Sequence, residues 1–317
     1  MVTYGANPQP SIYGYRTWTD GPVAASYLVD LLNVPMTSNY AVGHAQGGSL
    51  FGATINNTYT NSTAGAPDAF TQIANYTSSL STVSSTATSN VSNTLHFLWI
   101  GSNDISLKHI YVWGGLEWIN ARFATRMAAQ MAELVQNLID AGAEYVFVPN
   151  LYARDISPAI SFMATDNGVV DAAYVAELAG AIAAANVAIQ AALVPFGKKA
   201  IYYDVNTFMH KIMAEKAAYG ITHAGLSDGL YEFCDGYSDE DWDLCMEKGQ
   251  GEFLRFELRA SSFELGRRHV PVQCRTIANH SLGDTFYWQQ YLDMTTYVHK
   301  LIAQDMANVI EAHFAGL

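Results

Sequence analysis

The segment LHFLWIGSND, residues 95–104, carries the strongest indication of the fold in this chain. Its first six residues are almost entirely apolar, which predicts a short strand buried on both faces, as in a parallel sheet. The four residues that follow are turn formers, and they predict that the chain leaves the strand there. Polar side chains at the carboxyl end of a central strand face the edge where α/β sheets bind ligands. Asn103 is therefore a candidate hydrogen-bond donor to a ligand, and an ordinary turn is the alternative interpretation.

Two further apolar runs, residues 145–149 and 200–204, predict strands of the same kind. Helices are predicted over residues 22–32, 119–142, 171–194 and 295–314, and one more short strand over residues 38–42. Asp171 is a suitable N-cap for the third of these helices, and Pro195 and Gly197 end it. Strands that alternate with helices predict an α/β fold, which we expect to be a three-layer α/β/α sandwich around a doubly wound parallel sheet.

Composition and charge disfavour several classes of partner. The chain has 317 residues, half of them hydrophobic, which is enough for one large domain spanning residues 1–317. Its 29 acidic and 16 basic residues give a net charge of -13, which repels phosphate backbones and anionic lipids, so neither nucleic acid nor a membrane is an expected partner. No apolar run approaches the roughly eighteen residues needed to cross a bilayer, and residues 1–4 do not resemble a signal peptide. The nine histidines lack metal-ligand spacing, so no metal is expected.

Potential glycosylation sites point to the outside of the cell. From residue 54 to residue 94, more than half of the residues are Ser, Thr or Asn. Triplets of the form Asn-x-Ser/Thr begin at Asn56, Asn61, Asn75, Asn90 and Asn279. A solvated polar loop explains each single triplet, but their density in this segment favours a secreted protein. Cys234 and Cys245 are close enough for a small disulfide loop, which leaves Cys274 unpaired, and three free thiols are the alternative.

Five blocks of sequence together indicate a family resemblance. They are RTWTDGPV at residues 16–23, NYAVG at 39–43, GSND at 101–104, FVPNL at 147–151 and TTYVHKLIA at 295–303. In this order and spacing they resemble the GDSL, or SGNH, hydrolases, and most closely the fungal extracellular esterases, which include acetylesterases acting on plant polysaccharides. The resemblance spans the chain from about residue 5 to its C-terminus. It implies a flavodoxin-like SGNH hydrolase fold and a secreted, monomeric serine acyl-ester hydrolase, without metal or cofactor, that acts on small-molecule or carbohydrate esters.

The resemblance also assigns site residues. Asn103 would donate its side-chain amide to the oxyanion of the tetrahedral intermediate. His44 matches the glycine whose backbone N–H is the family's second oxyanion donor, and its own N–H keeps that function if the backbone angles suit a side chain. Anchoring the alignment on Thr295 puts Asp293 at the histidine position of the family's Asp-x-x-His block, with Gln290 at the aspartate position.

Two elements of the family's site are missing from the printed sequence. It contains no Gly-Asp-Ser tripeptide, the block that carries the nucleophile, and no Asp-x-x-His. Shifting the alignment by one residue gives Gln289 and Leu292, so neither alignment supplies a base. Losing the nucleophile or base costs about six orders of magnitude in turnover, whereas the remaining donors and binding retain about three to four orders over water. We therefore expect no measurable hydrolysis by the printed chain, and we expect the missing block, with the first strand of the sheet, in coding sequence upstream of residue 1.

Three hypotheses about function remain open. The first is a serine esterase of acetyl or other short acyl esters whose catalytic triad is missing from this chain. The second is a non-catalytic relative that binds a glycan or an acylated ligand in the same crevice. The third, a nucleotide-binding module, is disfavoured because residues 43–48 are glycine-rich but lack the Lys-Ser/Thr of a P-loop. Residues 247–275, which hold six of the sixteen basic residues, are expected to be an inserted surface segment.

Overall fold

The computed structural model of this chain describes part of its length. The described residues are 23–34, 39–41, 52–62, 65–82, 91–106, 121–157, 165–166, 169–222, 224 and 294–316. The predicted insertion at residues 247–275 and the three cysteines lie outside the described residues, so the expectations about them stay predictions.

Three parallel strands form the centre of the described structure. The strands are, in chain order, β1 Leu95–Phe97, β2 Tyr145–Pro149, β3 Thr165–Asp166, β4 Val169–Val170 and β5 Ala200–Tyr203. β2 lies between β1 and β5 and pairs in parallel with both, whereas β3 and β4 form a separate antiparallel pair. The three predicted buried strands are confirmed, and β1 ends three residues earlier than predicted.

Long helices connect and flank these strands. The helices are α1 Ala24–Leu31, α2 Asn57–Thr60, α3 Ala69–Thr82, α4 Ser102–Ser106, α5 Ala121–Asp140, α6 Ala172–Leu193, α7 Val205–Ala214 and α8 Thr296–Ala315. The four helices predicted from apolar spacing are α1, α5, α6 and α8, and all four are confirmed. A parallel sheet with helices between its strands is an α/β arrangement, as the alternation of patterns predicts.

The ends of α6 lie where the sequence indicates. Asp171 accepts hydrogen bonds from the backbone N–H groups of Ala173 and Tyr174 and is therefore the N-cap. Pro195 follows the helix, and Gly197 has a φ of 55°, a conformation that favours glycine. The chain can turn there and enter β5.

The Ser/Thr/Asn-rich segment contains more regular structure than a solvated polar loop. α3 forms within it because Ala69 and Ile73 are buried in the core. The carboxylate of Asp68 also accepts a hydrogen bond from the backbone N–H of Thr71 at 2.9 Å. Burial of an apolar stripe and satisfaction of the first N–H groups outweigh the weak helix propensity of Ser, Thr and Asn.

Strand β2 has helices packed on both of its faces. Val146 and Val148 belong to one hydrophobic cluster, together with the buried faces of α5 and α6. Phe147 belongs to a second cluster, together with buried residues of α1, α7 and α8. Successive side chains of a strand point to opposite faces, so β2 divides the described core into two parts.

Two sequence expectations need correction. The strand predicted over residues 38–42 is absent from its described part, residues 39–41, where the N–H of Ala41 donates to the side chain of Asn39 at 3.0 Å. Such a local hydrogen bond favours a turn over pairing in a sheet.

The expectation that no apolar run is long enough to cross a bilayer is also wrong by length and composition. The most apolar 18 residues within Ala172–Lys199 have a mean hydropathy of 1.7, and 33% of them are buried. Leu178 and Ile189 of this helix are nevertheless buried in the cluster shared with α5, as in a core helix.

A substitution of Phe147 tests the central position of β2 in the sheet. The ring of Phe147 lies 5.7 Å, centroid to centroid, from the rings of Phe97 and of Tyr203. Phe147→Ala removes these contacts and leaves a cavity, so we expect the free energy of unfolding to fall by about 3–5 kcal/mol. Val187→Ala, at a side chain that is 67% exposed, is the control and should change it by less than about 0.5 kcal/mol. Urea denaturation followed by circular dichroism measures both, and equal effects would contradict the described packing.

Candidate active site

The segments that follow β1 and β2 meet at the carboxyl edge of the sheet. Gly101, after β1, has a φ of 112°, which favours glycine. A Cβ at this position would lie 2.8 Å from Cδ2 of Leu151, after β2, and 3.3 Å from Cδ1 of Ile55. The glycine of Gly-Ser-Asn-Asp is therefore required by its backbone angle and by the close approach of two other segments. It allows α4 to begin directly against the loop after β2.

Asn103 lies in the first turn of α4 and is half-buried. Its Nδ2 donates a hydrogen bond to the carbonyl oxygen of Ala53 at 2.9 Å. A side-chain amide carries two N–H donors, so this bond orients the group and uses one of them. Donation of the second N–H to an oxyanion stays a prediction.

Asp104 binds the same segment, residues 53–55, that Asn103 contacts. Its side chain is 1% exposed, and both carboxylate oxygens accept from the backbone N–H of Ile55, at 3.0 and 3.2 Å. Hydrogen bonds to a charged acceptor are stronger than neutral ones. Asn103 and Asp104 together fix residues 53–55 against α4 through backbone groups.

Asn150 joins the loops after β2 and β5. This residue is 1% exposed, and its Nδ2 donates to Asp204 at 2.8 Å and to the hydroxyl of Tyr202 at 2.9 Å. Its Oδ1 accepts from the N–H of Asn206 at 3.1 Å, and its backbone carbonyl accepts from the indole N–H of Trp99 at 3.1 Å. Burial raises the pKa of Tyr202 to about 12. Both the Nδ2 and Oδ1 atoms of Asn150 thus have partners, and these hydrogen bonds make the carboxyl edge of the sheet rigid.

A carboxylate and an imidazole are paired nearby. Asp155, in the turn after β2, lies 3.2 Å from Nε2 of His210 in α7. The hydrogen bond to Asp155 raises the pKa of His210, although burial lowers it. An imidazole held by a carboxylate has the composition of the base half of a serine triad. Within the described ranges, no serine or cysteine side chain is hydrogen-bonded to this ring.

The pKa of His299, in contrast to that of His210, is lowered. This histidine lies in α8, is 8% exposed, and has no hydrogen-bond partner at Nδ1 within the described part of the chain. Burial lowers the pKa of His299 to about 3. A general base works best with a pKa near the operating pH, so His299 is unsuited to be the base of a catalytic triad. It is a neutral core residue.

The other two predicted site residues, His44 and Asp293, lie outside the described residues, as does Gln290. Their assignments from the family alignment stay predictions. The structure therefore places one of the three, Asn103, and describes no distance between them.

A concavity of about 520 Å³ lies on the outer face of α5. It is lined by Ala121, Arg122, Thr125, Arg126 and Ala129. All five are exposed residues of one helix, and the guanidinium carbon of Arg126 lies 4.5 Å from the centre of the Tyr59 ring. A ligand site usually combines an enclosed apolar lining with convergent polar groups, which this surface lacks. No group of three His, Cys, Asp or Glu side chains suited to a metal occurs in the described ranges.

The sequence reasoning missed most of the polar residues at this edge. Asn150 could have been found, since it stands directly after a predicted strand, as Asn103 nearly does. The pairing of Asp155 with His210 joins two separate elements, and nothing in the sequence indicates it. Arginine is usually a surface residue, and nothing in the sequence around Arg154 indicates otherwise, yet this residue is 2% exposed.

Comparison with known proteins supports part of the resemblance. A family model described as GDSL-like Lipase/Acylhydrolase matches residues 2–242, which is more than half of the chain. The matched range includes α4 and the loop after β2, and it ends before α8. A search of curated proteins finds no match.

Alanine substitutions separate the structural contributions of Asn103 and Asp104. Asp104→Ala leaves the buried N–H of Ile55 without its charged acceptor, so we expect the free energy of unfolding to fall by about 1.5–3 kcal/mol. Asn103→Ala removes one neutral hydrogen bond and should cost about 0.5–1.5 kcal/mol. Chemical denaturation at pH 7 measures both values. A larger loss for Asn103→Ala would show that its amide is chiefly structural.

The low pKa of His299 predicts acid sensitivity. The folded state holds the ring neutral down to about pH 3, whereas the unfolded chain binds a proton below about 6.5. Stability therefore falls as the pH drops below 6.5, by about 2 kcal/mol between pH 7.5 and pH 5. His299→Leu should remove this share of the decline, seen as the difference between two denaturation series. Parallel pH profiles for the two proteins are the contrary result.

Proposed function

This chain belongs to the GDSL-like lipase/acylhydrolase family, and on that premise we propose that it is a serine acyl-ester hydrolase of acetyl or other short acyl esters of carbohydrates. Ester hydrolysis is the chemistry of the family. The finer assignment rests on the blocks of sequence that resemble the fungal acetylesterases. The observation that carries it is Asn103, held at the carboxyl edge of a parallel strand by a bond that leaves one N–H of its amide for a substrate.

The proposed mechanism uses this chain's residues as oxyanion donors. Asn103 donates from its side chain and His44 from its backbone N–H to the oxygen that becomes negative in the tetrahedral intermediate. One such donor is worth roughly 3 kcal/mol of transition-state stabilisation. The nucleophilic serine and its Asp-His pair are the parts that the printed sequence does not supply in the family's blocks. No step of the proposal needs a metal or cofactor.

The proposed fold is the three-layer α/β/α sandwich of the family. Support comes from β2, which has a hydrophobic cluster on each face and helices in both clusters. We also propose a further strand next to β1, which has one described neighbour, β2. An unpaired buried edge leaves N–H and C=O groups unsatisfied, so a further strand there would stabilise the sheet.

We also propose an extracellular, glycosylated, monomeric protein of fungal type. Asn61 and Asn75, which begin two of the Asn-x-Ser/Thr triplets, are both exposed and available to a glycan. Asn56 is less suited, because its side chain accepts a hydrogen bond from Tyr59 at the start of α2. The net charge of -13 argues against a nucleic acid or an anionic membrane as partner.

The alternative is a non-catalytic relative that binds a glycan or an acylated ligand. The observation that favours it is Gln290 and Asp293 at the positions where the family has its aspartate and histidine. Restoring the catalytic groups separates this alternative from an esterase.

The experiment compares the printed chain with a repaired version. The repair adds a segment with Gly-Asp-Ser ahead of residue 5 and introduces Gln290→Asp with Asp293→His. We expect no hydrolysis of 4-nitrophenyl acetate by the printed chain and clear hydrolysis by the repaired one, since nucleophile and base together account for about six orders of magnitude. Asn103→Ala in the repaired background should then lower kcat about 10²–10³-fold.

The matched control is Asn75→Ala, which removes an exposed asparagine of α3 and should leave kcat unchanged. A repaired protein that folds and binds acetylated sugars without hydrolysing them supports the non-catalytic alternative. Equal kcat values for Asn103→Ala and the control would remove Asn103 from the oxyanion hole.

A further inference from the structure

Arg154 is a buried cation whose charge is not matched by any described side chain. It is 2% exposed and begins the short turn Arg154–Ile156 after β2. Its Nη1 donates to the hydroxyl of Tyr152 at 3.4 Å, whereas Nε and Nη2 have no hydrogen-bond partner within the described residues. Arginine keeps its charge at every physiological pH, so burial cannot be relieved by loss of a proton. Such a group needs an anion beside it.

The two unpartnered nitrogens define the shape of that anion. Nη2 is the terminal nitrogen that lies cis to the Nε–H bond in the guanidinium plane, so Nε and Nη2 form one edge with two parallel N–H donors. Two parallel donors match the two oxygens of a carboxylate, which is the bidentate pairing that arginine favours. The third nitrogen, Nη1, is the one already engaged by Tyr152.

Two acidic side chains in the segments that follow β2 and β5 have other described partners. Asp155, the next residue, pairs with His210 at 3.2 Å. Asp204 accepts hydrogen bonds from Asn150 at 2.8 Å and from the hydroxyl and N–H of Thr207. Neither of these carboxylates, nor any other described acidic side chain, accepts a hydrogen bond from Nε or Nη2 of Arg154.

The turn that carries Arg154 is held in place independently of its side chain. The carbonyl oxygen of Arg154 accepts from the N–H of Ser157 at 2.9 Å and from its hydroxyl at 2.7 Å, and Ser157 is fully buried. The turn packs against α6. Burial raises the pKa of Tyr174, in the first turn of α6, and the charge of Arg154 opposes that rise, which places the guanidinium near this phenol. A fixed backbone that carries a cation with no counter-ion among the described residues is a preorganised anion site.

We propose that the Nε–Nη2 edge of Arg154 binds the carboxylate of a ligand at the carboxyl edge of the sheet. Two sources of that carboxylate are compatible with the chemistry: the acid released by ester hydrolysis, such as acetate, or a uronate on the alcohol half of the ester. Assigning the carboxylate to a product or a substrate rests on the proposed esterase function. The binding itself does not, because it follows from the unpartnered guanidinium.

The test measures ligand binding to the printed chain, without any repair of the catalytic groups. Thermal unfolding is followed in sodium acetate and in sodium galacturonate, against sodium chloride at equal ionic strength. Because Nε and Nη2 are shielded from solvent, samples are equilibrated overnight before heating. We expect each binding carboxylate to raise Tm, by roughly 5 °C at a concentration of about 100 times Kd.

Three variants decide whether Arg154 is responsible. Arg154→Met should abolish the carboxylate-dependent rise and, because it removes an unneutralised buried charge, should have a higher Tm than the parent in chloride. Arg154→Lys keeps the charge but loses the bidentate edge, so its affinity should be at least about tenfold lower. The matched control is Arg126→Met, at an exposed arginine of α5, which should respond to carboxylates as the parent does.

The outcomes are distinct. A rise with acetate alone identifies the product acid, a rise with galacturonate alone identifies the alcohol half, and a rise with both identifies a general carboxylate site. No rise in the parent, an equal rise in Arg154→Met, or a rise with inorganic phosphate but with neither carboxylate overturns the proposal. A lower Tm for Arg154→Met in chloride also overturns it, since it would mean that the cation is already paired within the chain. If Arg154→Met does not fold, Arg154→Lys and the parent carry the test.

These results are independent of the esterase assay. Carboxylate binding by a chain whose repaired version hydrolyses no ester would retain the site at Arg154 and reject the esterase. Hydrolysis by the repaired version, without carboxylate binding to the printed chain, would support the esterase and reject the site at Arg154.

Discussion

The parallel pairing of β2 with β1 and β5 is the constraint on which the rest of the structure depends. Parallel strands end at the same edge, so the segments after them must meet there, and they do so at Gly101 and Leu151. β2 is buried on both faces, because Val146 and Phe147 are each at 0% exposure in different clusters. Helices on both sides follow from that burial, since no face of this strand is left for water.

Side chains that bind backbone groups hold the carboxyl edge together. Asn103 and Asp104 fix residues 53–55, and Asn150 connects the loops after β2 and β5. The Gly-x-Asn-Asp motif thus has a structural function that is separate from catalysis. Gly101 and Asp104 are needed for packing alone, whatever ligand the crevice binds.

The two buried side chains His299 and Arg154 respond differently to burial. His299 can become neutral, so its burial appears as a lowered pKa and leaves no charge in the core. Arg154 cannot, because guanidinium does not lose its proton in proteins, so its burial demands a partner of opposite charge. The neutral imidazole therefore needs no counter-ion, although its Nδ1 has no described hydrogen-bond partner, whereas the guanidinium needs an anion. This difference in acid–base chemistry is why the inference about a ligand rests on Arg154.

The sequence by itself determined the type and order of the main elements: the buried strands at residues 95–97, 145–149 and 200–203, and the helices α1, α5, α6 and α8. Apolar spacing and end signals such as Asp171 are local, so they can be read along one chain. It also indicated the family, through five short blocks of which four lie within the matched range of residues 2–242. Tertiary structure alone decided that α3 forms in a polar segment, that Arg154 is buried, and that Asp155 pairs with His210. These facts depend on contacts between residues distant in sequence, where burial and charge are set by neighbours that no local pattern contains.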